Sequence, residues 1–185
     1  MNTGTIKCLV IGEFYSGKTT LMRRLESDVF EVTSPTIGVE FSVMDVPLID
    51  DRITMWNLAG SERFQEILNL YYKGAQVILV VVDATKSSDI EKWITKARRL
   101  APKARIALVF TKIDLPMRYS PNDIDLVRSM FDVDYATMVS SKEMSKKEIM
   151  SVLAPAFRNV QARNSIIVED ASSSSLSALS CCRVQ

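Results

Sequence analysis

The 185-residue sequence contains no histidine, which removes the side chain that most often acts as general base near neutral pH. Cysteine is scarce. Cys8 lies inside an apolar run and Cys181-Cys182 are adjacent near the end, a spacing that fits neither a disulfide framework nor a zinc site and suits a reducing compartment. No long hydrophobic run occurs. The longest, Val77 to Val82, falls far short of the roughly 20 residues of a membrane-spanning helix. The first residues also lack a basic stretch leading into an apolar signal core, so the sequence predicts a soluble, cytosolic chain. Excess charge of one sign is missing too: 23 Lys and Arg face 22 Asp and Glu. Without a basic face a phosphate backbone finds little long-range attraction, and nucleic acid is not an expected partner.

What is present is a recurring alternation of short apolar runs with helix-length segments. "IKCLVI" ends at a glycine, and the following "GEFYSGKTTLMRRL" places Leu21, Met22 and Leu25 at helical spacing. "EFSVMDV" and "RITMWNL" flank the turn-forming segment Pro47 to Asp51 and read as a hairpin. "VILVVVD", "RIALVFT" and "YATMVSS" follow, each separated from the next by room for a helix. Continuous apolar strands of this kind are tolerated where both faces are covered, so the fold class is α/β with a mainly parallel sheet between helices. Ser145-Lys-Lys-Glu148 is the reciprocal cap that begins a last helix, and Pro155 is expected to kink or shorten it. From about Ala162 the serine-rich "SSSSLSALSCCRVQ" has too little apolar periodicity to offset its ordering entropy and predicts a flexible tail. The expected organisation is one domain over residues 1–161 and a tail over residues 162–185.

"GEFYSGKT", Gly12 to Thr19, satisfies G-x-x-x-x-G-K-[ST] between a predicted strand and a predicted helix. Backbone N–H groups of Tyr15, Ser16, Gly17, Lys18, Thr19 and Thr20 would cradle phosphates at the helix N-terminus. Lys18 would reach the β and γ phosphates, and the Thr19 hydroxyl would help hold Mg²⁺. This loop alone leaves ATP and GTP, kinase and switch protein, open.

"FTKID" (Phe110 to Asp114) and "SSKE" (Ser140 to Glu143), each after an apolar strand, resemble the guanine-reading motifs of small GTPases. The resemblance implies a three-layer P-loop G domain with a mostly parallel six-stranded sheet, and GTP or GDP with Mg²⁺ as ligands. It makes Asp114 the acceptor of two guanine hydrogen bonds that adenine cannot offer. Lys112 would lie along the base, the Ser141 and Lys142 backbone would meet the guanine oxygen, and Ser140 belongs to the same guanine-binding set. Thr111, where asparagine is usual, implies looser bracing of the phosphate loop.

"SPTIGVEF" (Ser34 to Phe41), "WNLAGSERF" (Trp56 to Phe64) and "YYKGA" (Tyr71 to Ala75) resemble the switch segments of Rab proteins, with the likeness spanning about residues 5 to 160. Tyr15-Ser16 and Leu58 are similar to certain Arf-like proteins, but Asn2 in place of glycine excludes Arf-type myristoylation. The Rab resemblance implies that the Thr36 hydroxyl contacts Mg²⁺ and its backbone senses the γ-phosphate, that Gly12 and Gly60 belong to the phosphate-binding set, and that Phe30 covers the guanine edge. It also makes Phe41, Trp56 and Tyr71 an aromatic effector surface, and Cys181 and Cys182 geranylgeranylation sites that anchor the chain on the cytosolic face of an internal membrane. Effector proteins, an exchange factor and an activating protein are the implied partners.

Three positions depart from that pattern. Asn57 stands where an aspartate orients Mg²⁺ indirectly; an amide still accepts a hydrogen bond but adds no charge. Ser61 stands where a glutamine orients the attacking water, and serine is too short to do so. Phe14 is bulky where the loop normally leaves room. The expected function is therefore a Rab-like switch with weak intrinsic hydrolysis. Its rival is a pseudo-GTPase binding module. A P-loop kinase, which needs an arginine-rich lid and a second substrate pocket, is disfavoured by the paired guanine motifs.

Overall fold

A computed structural model describes residues 5–46, 51–60 and 65–160; the backbone alone is described at residues 46, 51, 65 and 66. Six strands form one sheet: β1 (Thr5–Ile11), β2 (Val39–Val46), β3 (Asp51–Leu58), β4 (Val77–Asp83), β5 (Arg105–Thr111) and β6 (Tyr135–Met138). Their spatial order is β2-β3-β1-β4-β5-β6. The β2–β3 pair is antiparallel and every other pair is parallel. The predicted hairpin and the predicted parallel sheet are therefore both present, with the hairpin's turn outside the described residues.

Strand side chains alternate between the faces, which splits the apolar residues into two cores. Ile6, Cys8 and Val10 of β1 and Val77, Leu79 and Val81 of β4 pack with Leu21, Met22 and Leu25 of helix α1 (Lys18–Ser27). Ile149, Leu153 and Phe157 of helix α5 (Lys146–Phe157) complete that layer. Leu9, Ile11, Ile78, Val80 and Val82 point the other way, toward helix α2 (Gln65–Leu68), Trp93, Ile94 and Ala97 of helix α3 (Ile90–Leu100), and Val127 of helix α4 (Ile124–Met130). All seven residues of β4 are buried, because it runs through the centre of the sheet with a helical layer on each side.

Helix α5 begins at the expected cap, where Ser145 Oγ accepts from the Glu148 N–H and the Glu148 carboxylate accepts from the Ser145 N–H. It runs only two residues beyond Pro155 before ending at Phe157, in keeping with the shortening expected of a missing N–H donor. The parallel strands all deliver their C-terminal ends to one edge of the molecule. In open α/β sheets that edge is where ligands bind.

Candidate functional site

The loop between β1 and α1 is shaped by backbone constraints. Gly12 has φ 143°, and a Cβ there would lie 2.2 Å from the Val81 carbonyl oxygen, so no side chain fits. Gly17, at φ 90°, caps α1 without any side-chain acceptor, which leaves first-turn N–H groups for an anionic ligand. Tyr15 adopts φ 61° despite its side chain, and its ring stacks edge-on against Phe14 at 4.2 Å between centroids. Gly60 packs onto the same loop so closely that a Cβ would come within 2.7 Å of the Phe14 nitrogen.

Lys18 is buried, and its ammonium donates to the carbonyls of Gly12 at 3.1 Å and Glu13 at 2.6 Å. Burial pulls its pKa down to about 8, against the opposing pull of Glu13 and with a further push from Lys112. An anionic phosphate would reverse that shift.

Thr111, placed where asparagine is usual, touches the loop through one short side-chain contact. Its buried hydroxyl lies 2.6 Å from the Ser16 carbonyl and 3.1 Å from the Val82 carbonyl, so β5 holds the phosphate loop through a direct bond to Ser16. Lys112 follows at φ 62°, and this left-handed turn brings its ammonium back to donate to the Tyr15 carbonyl at 2.8 Å and to the Asp83 carboxylate at 2.6 Å. Burial acts to raise the pKa of Asp83, but the hydrogen bonds from Lys112 and Thr85 outweigh it and hold the carboxyl below its usual range. Asp83 ends the β4 run without any motif of its own, which is why sequence reasoning passed over it.

Beyond Lys112, the Asp114 carboxylate accepts from the Ser140 hydroxyl at 2.7 Å, and that hydroxyl in turn accepts from the Glu143 N–H at 3.0 Å. One cavity of about 280 Å³ runs from this end to the phosphate loop, near the lower bound of roughly 300 Å³ for small-molecule sites. Tyr15, Gly17, Lys18, Thr19 and Thr20 line it at one end with Thr36 and Gly60; Phe30, Thr111, Lys112, Asp114, Ser141 and Lys142 line it at the other. Gly12, Ser16, Ser140 and Asn57 are buried and are not among the lining residues. Val32, Thr33 and Leu115 also line the cavity but lie outside every motif read from the sequence. Thr33 meets Thr20 hydroxyl to hydroxyl at 3.5 Å.

The hydroxyls of Thr19 and Thr36 come together at 2.7 Å. Two oxygen ligands at right angles about 2.1 Å from Mg²⁺ would be roughly 3 Å apart, so this hard-oxygen pair fits that ion with a small opening. Asn57 is fully buried beside them. Its amide nitrogen donates two hydrogen bonds, to Thr19 Oγ1 at 2.9 Å and Glu40 Oε2 at 2.8 Å. Its oxygen has no partner among the described residues, an unmet acceptor of the kind a metal-bound water satisfies. Glu40 was likewise absent from the sequence-based site. Ser61 lies outside the described residues, as do Cys181 and Cys182.

Phe41 and Trp56 face each other across the β2–β3 pair, with centroids 4.7 Å apart, and Tyr71 stacks on Trp56 at 5.5 Å. The three expected aromatics thus form one cluster, but only Phe41 is strongly exposed, at 54%. Trp56 and Tyr71 are half-buried against the core. The Lys7 ammonium lies over the Trp56 ring at 5.4 Å. Among the described residues, no helix is long and apolar enough to cross a membrane.

Residues 7–114 match the family model described as "Ras of Complex, Roc, domain of DAPkinase", a span from β1 through Asp114. The chain is 38% identical over 122 residues to the Ras-related protein Rab-18 of Caenorhabditis briggsae, covering 62% of this chain and 60% of that one. It is 36% identical over 118 residues to the putative Ras-related protein Rab-5B of Dictyostelium discoideum, covering 60% and 55%. The Ras-related protein RabT2 of the same organism is 27% identical over 161 residues, covering 81% and 72%. The chain thus spans somewhat more than half the length of the first two curated relatives. With the phosphate loop, the strand-end motifs and this family match in one fold, the chain belongs to the Ras superfamily as a Rab-like small GTPase.

Proposed function

We propose that the chain is a guanine-nucleotide-dependent switch that recruits effector proteins to a membrane during vesicle traffic, and that its own hydrolysis of GTP is weak. The observation that carries this reading is the single cavity joining the N-terminus of α1 to the Asp114 carboxylate. One end suits phosphates, and the other suits a base with two adjacent donors.

The roles follow from position. First-turn N–H groups of α1 and Lys18 bind phosphate oxygens, Asp114 reads the guanine edge, and the Ser140 hydroxyl fixes the carboxylate that does so. Phe30, 40% exposed at the cavity rim, covers the base. Thr19 and Thr36 would hold Mg²⁺, which when bound shields the phosphate charge. Since Thr36 belongs to the irregular segment 29–37 that precedes β2, its contact with Thr19 ties that segment to the site. Loss of the contact would release it, which is the essence of a switch.

Weak hydrolysis rests on Ser61, too short to orient a water, and on Phe14, 46% exposed and lining the cavity at the phosphate end. Cys181 and Cys182 are the proposed lipid sites, with the residue 162–185 tail as their tether. Two prenyl chains would anchor stably and one only weakly.

A second reading, a binding module that never cycles, is favoured by the Asn57 amide. It donates to Thr19 Oγ1 where a carboxylate would accept. Single-turnover hydrolysis of preloaded γ-labelled GTP separates the two. Intrinsic turnover in this class is about 10⁻⁴ per second even with the glutamine present. A measurable rate below that, accelerated by Ser61→Gln, supports the weak switch. Stable GTP that Ser61→Gln leaves unchanged supports the binding module, and failure to bind guanine nucleotide overturns both.

A further inference from the structure

We infer that Glu40 provides the negative charge at the Mg²⁺ site that Asn57 cannot, acting as a positioning residue through the Thr19 and Thr36 hydroxyls. This rests on the nucleotide-binding reading given above. The geometry is a closed ring of hydrogen bonds. Glu40 Oε2 accepts from the Asn57 amide at 2.8 Å and from the Thr36 hydroxyl at 3.4 Å, the longest link. Thr36 meets Thr19 at 2.7 Å, and Thr19 accepts from the other Asn57 N–H at 2.9 Å.

Proton counting gives the ring a direction. A carboxylate only accepts, so the Thr36 proton points to Glu40. The Thr19 proton then points to the Thr36 oxygen. Each threonine oxygen, having donated its proton and accepted one hydrogen bond, retains one lone pair for a cation. Glu40 also fixes the orientation of the Asn57 amide, because only its NH₂ side can face two acceptors.

The same arrangement bears on the residue type at position 57. An aspartate there would place a second carboxylate against Glu40 at a separation where an amide now sits at 2.8 Å, a like-charge contact that costs heavily unless a cation intervenes. With asparagine, one carboxylate serves the site from β2 rather than from β3. The remaining Glu40 oxygen lies 3.8 Å from Arg23, whose side chain is about half exposed. That is a solvent-screened pair which does not compete for Oε2.

The test measures release of a fluorescent GDP analogue from the full chain as free Mg²⁺ is varied. For Glu40→Gln, which removes the charge and keeps an acceptor, the Mg²⁺ concentration at half-effect should rise about 10- to 100-fold. The release rate in excess chelator should stay within about twofold of the parent, a separation that general loosening of the fold would not produce. Glu40→Asp, which withdraws the carboxylate by one methylene, should fall between the two and keeps the test open if Glu40→Gln fails to fold. The double variant Asn57→Asp/Glu40→Gln should restore the parent's Mg²⁺ dependence. An unchanged midpoint in Glu40→Gln or Glu40→Asp overturns the assignment, as does an equal acceleration with and without Mg²⁺. If the parent binds GDP but ignores Mg²⁺, the role of Glu40 fails alone. If the parent binds no guanine nucleotide, the functional reading fails with it.

Discussion

The hydroxyl of Thr111, at the end of β5, sits 2.6 Å from the carbonyl oxygen of Ser16 in the phosphate loop, with both groups buried. A residue 95 positions away in sequence thereby ties the base-reading strand to the phosphate-binding turn. Thr111→Val keeps the shape and deletes the donor, leaving a buried carbonyl unmet. The expected cost is about 1–3 kcal/mol of unfolding free energy, together with faster nucleotide release. Denaturant unfolding and release kinetics on the same protein check it, and an unaltered midpoint would mean that the bond contributes nothing.

The charge state of Lys18 sets a pH dependence. In the free protein burial holds its pKa near 8, against an ordinary value of 10.5. Between those values the unfolded chain binds the extra proton and the folded chain does not, so the Lys18 contribution makes stability rise with pH over that window. Nucleotide binding runs the opposite way. Phosphate favours the ammonium, so above about pH 8 binding must take up a proton, and GDP affinity should fall roughly five- to tenfold between pH 7.5 and 9. Titration calorimetry in buffers of different ionisation enthalpy would detect the proton uptake. Lys18→Ala should bind far more weakly and lose this dependence.

Phe41 and Trp56 touch, yet they should respond differently to truncation. Phe41 is 54% exposed while Trp56 is half-buried against the core. Phe41→Ala should cost less than about 1 kcal/mol, and Trp56→Ala should cost more, approaching the roughly 3–5 kcal/mol of a core aromatic. Chemical denaturation of both variants decides this. A Phe41→Ala cost equal to that of Trp56→Ala would mean that the Phe41 ring is structural and not free for a partner.

The fold was largely legible because its signals are local. Apolar runs such as Val77 to Val82 announce a strand buried on both faces, the Ser145/Glu148 pair announces a helix start, and "GEFYSGKT" announces a strand-loop-helix turn. Glu40 and Asp83 were illegible for the opposite reason. Each acquires its role from a partner on or just beyond a neighbouring strand, Asn57 for one and Lys112 for the other, and no spacing motif encodes which side chains such pairing brings together. Thr111 illustrates a third case. Its identity suggests a weaker brace than asparagine, and what sequence could not show is that the short hydroxyl reaches the loop at all because Gly17, with no side chain, lets the strand approach; a Cβ there would lie 3.3 Å from Thr111 Oγ1.

Base selection should depend on Asp114 and, one bond removed, on Ser140. The carboxylate can accept from two neighbouring donors on a purine edge, and the Ser140 hydroxyl fixes its orientation through Oδ1 at 2.7 Å. Asp114→Asn turns one acceptor into a donor aimed at a donor, so GDP affinity should drop by at least about 100-fold, while the weak affinity for ADP, which lacks the donor pair, should change little. Ser140→Ala leaves the carboxylate in place but frees its rotation. A smaller loss for GDP, about 10-fold, is expected, the lower end of what one missing hydrogen bond to a charged group costs. Competition of GDP and ADP against a fluorescent guanine nucleotide reads both variants. Equal losses for the two bases in Asp114→Asn would remove Asp114 from base recognition and point to a structural role at the end of β5.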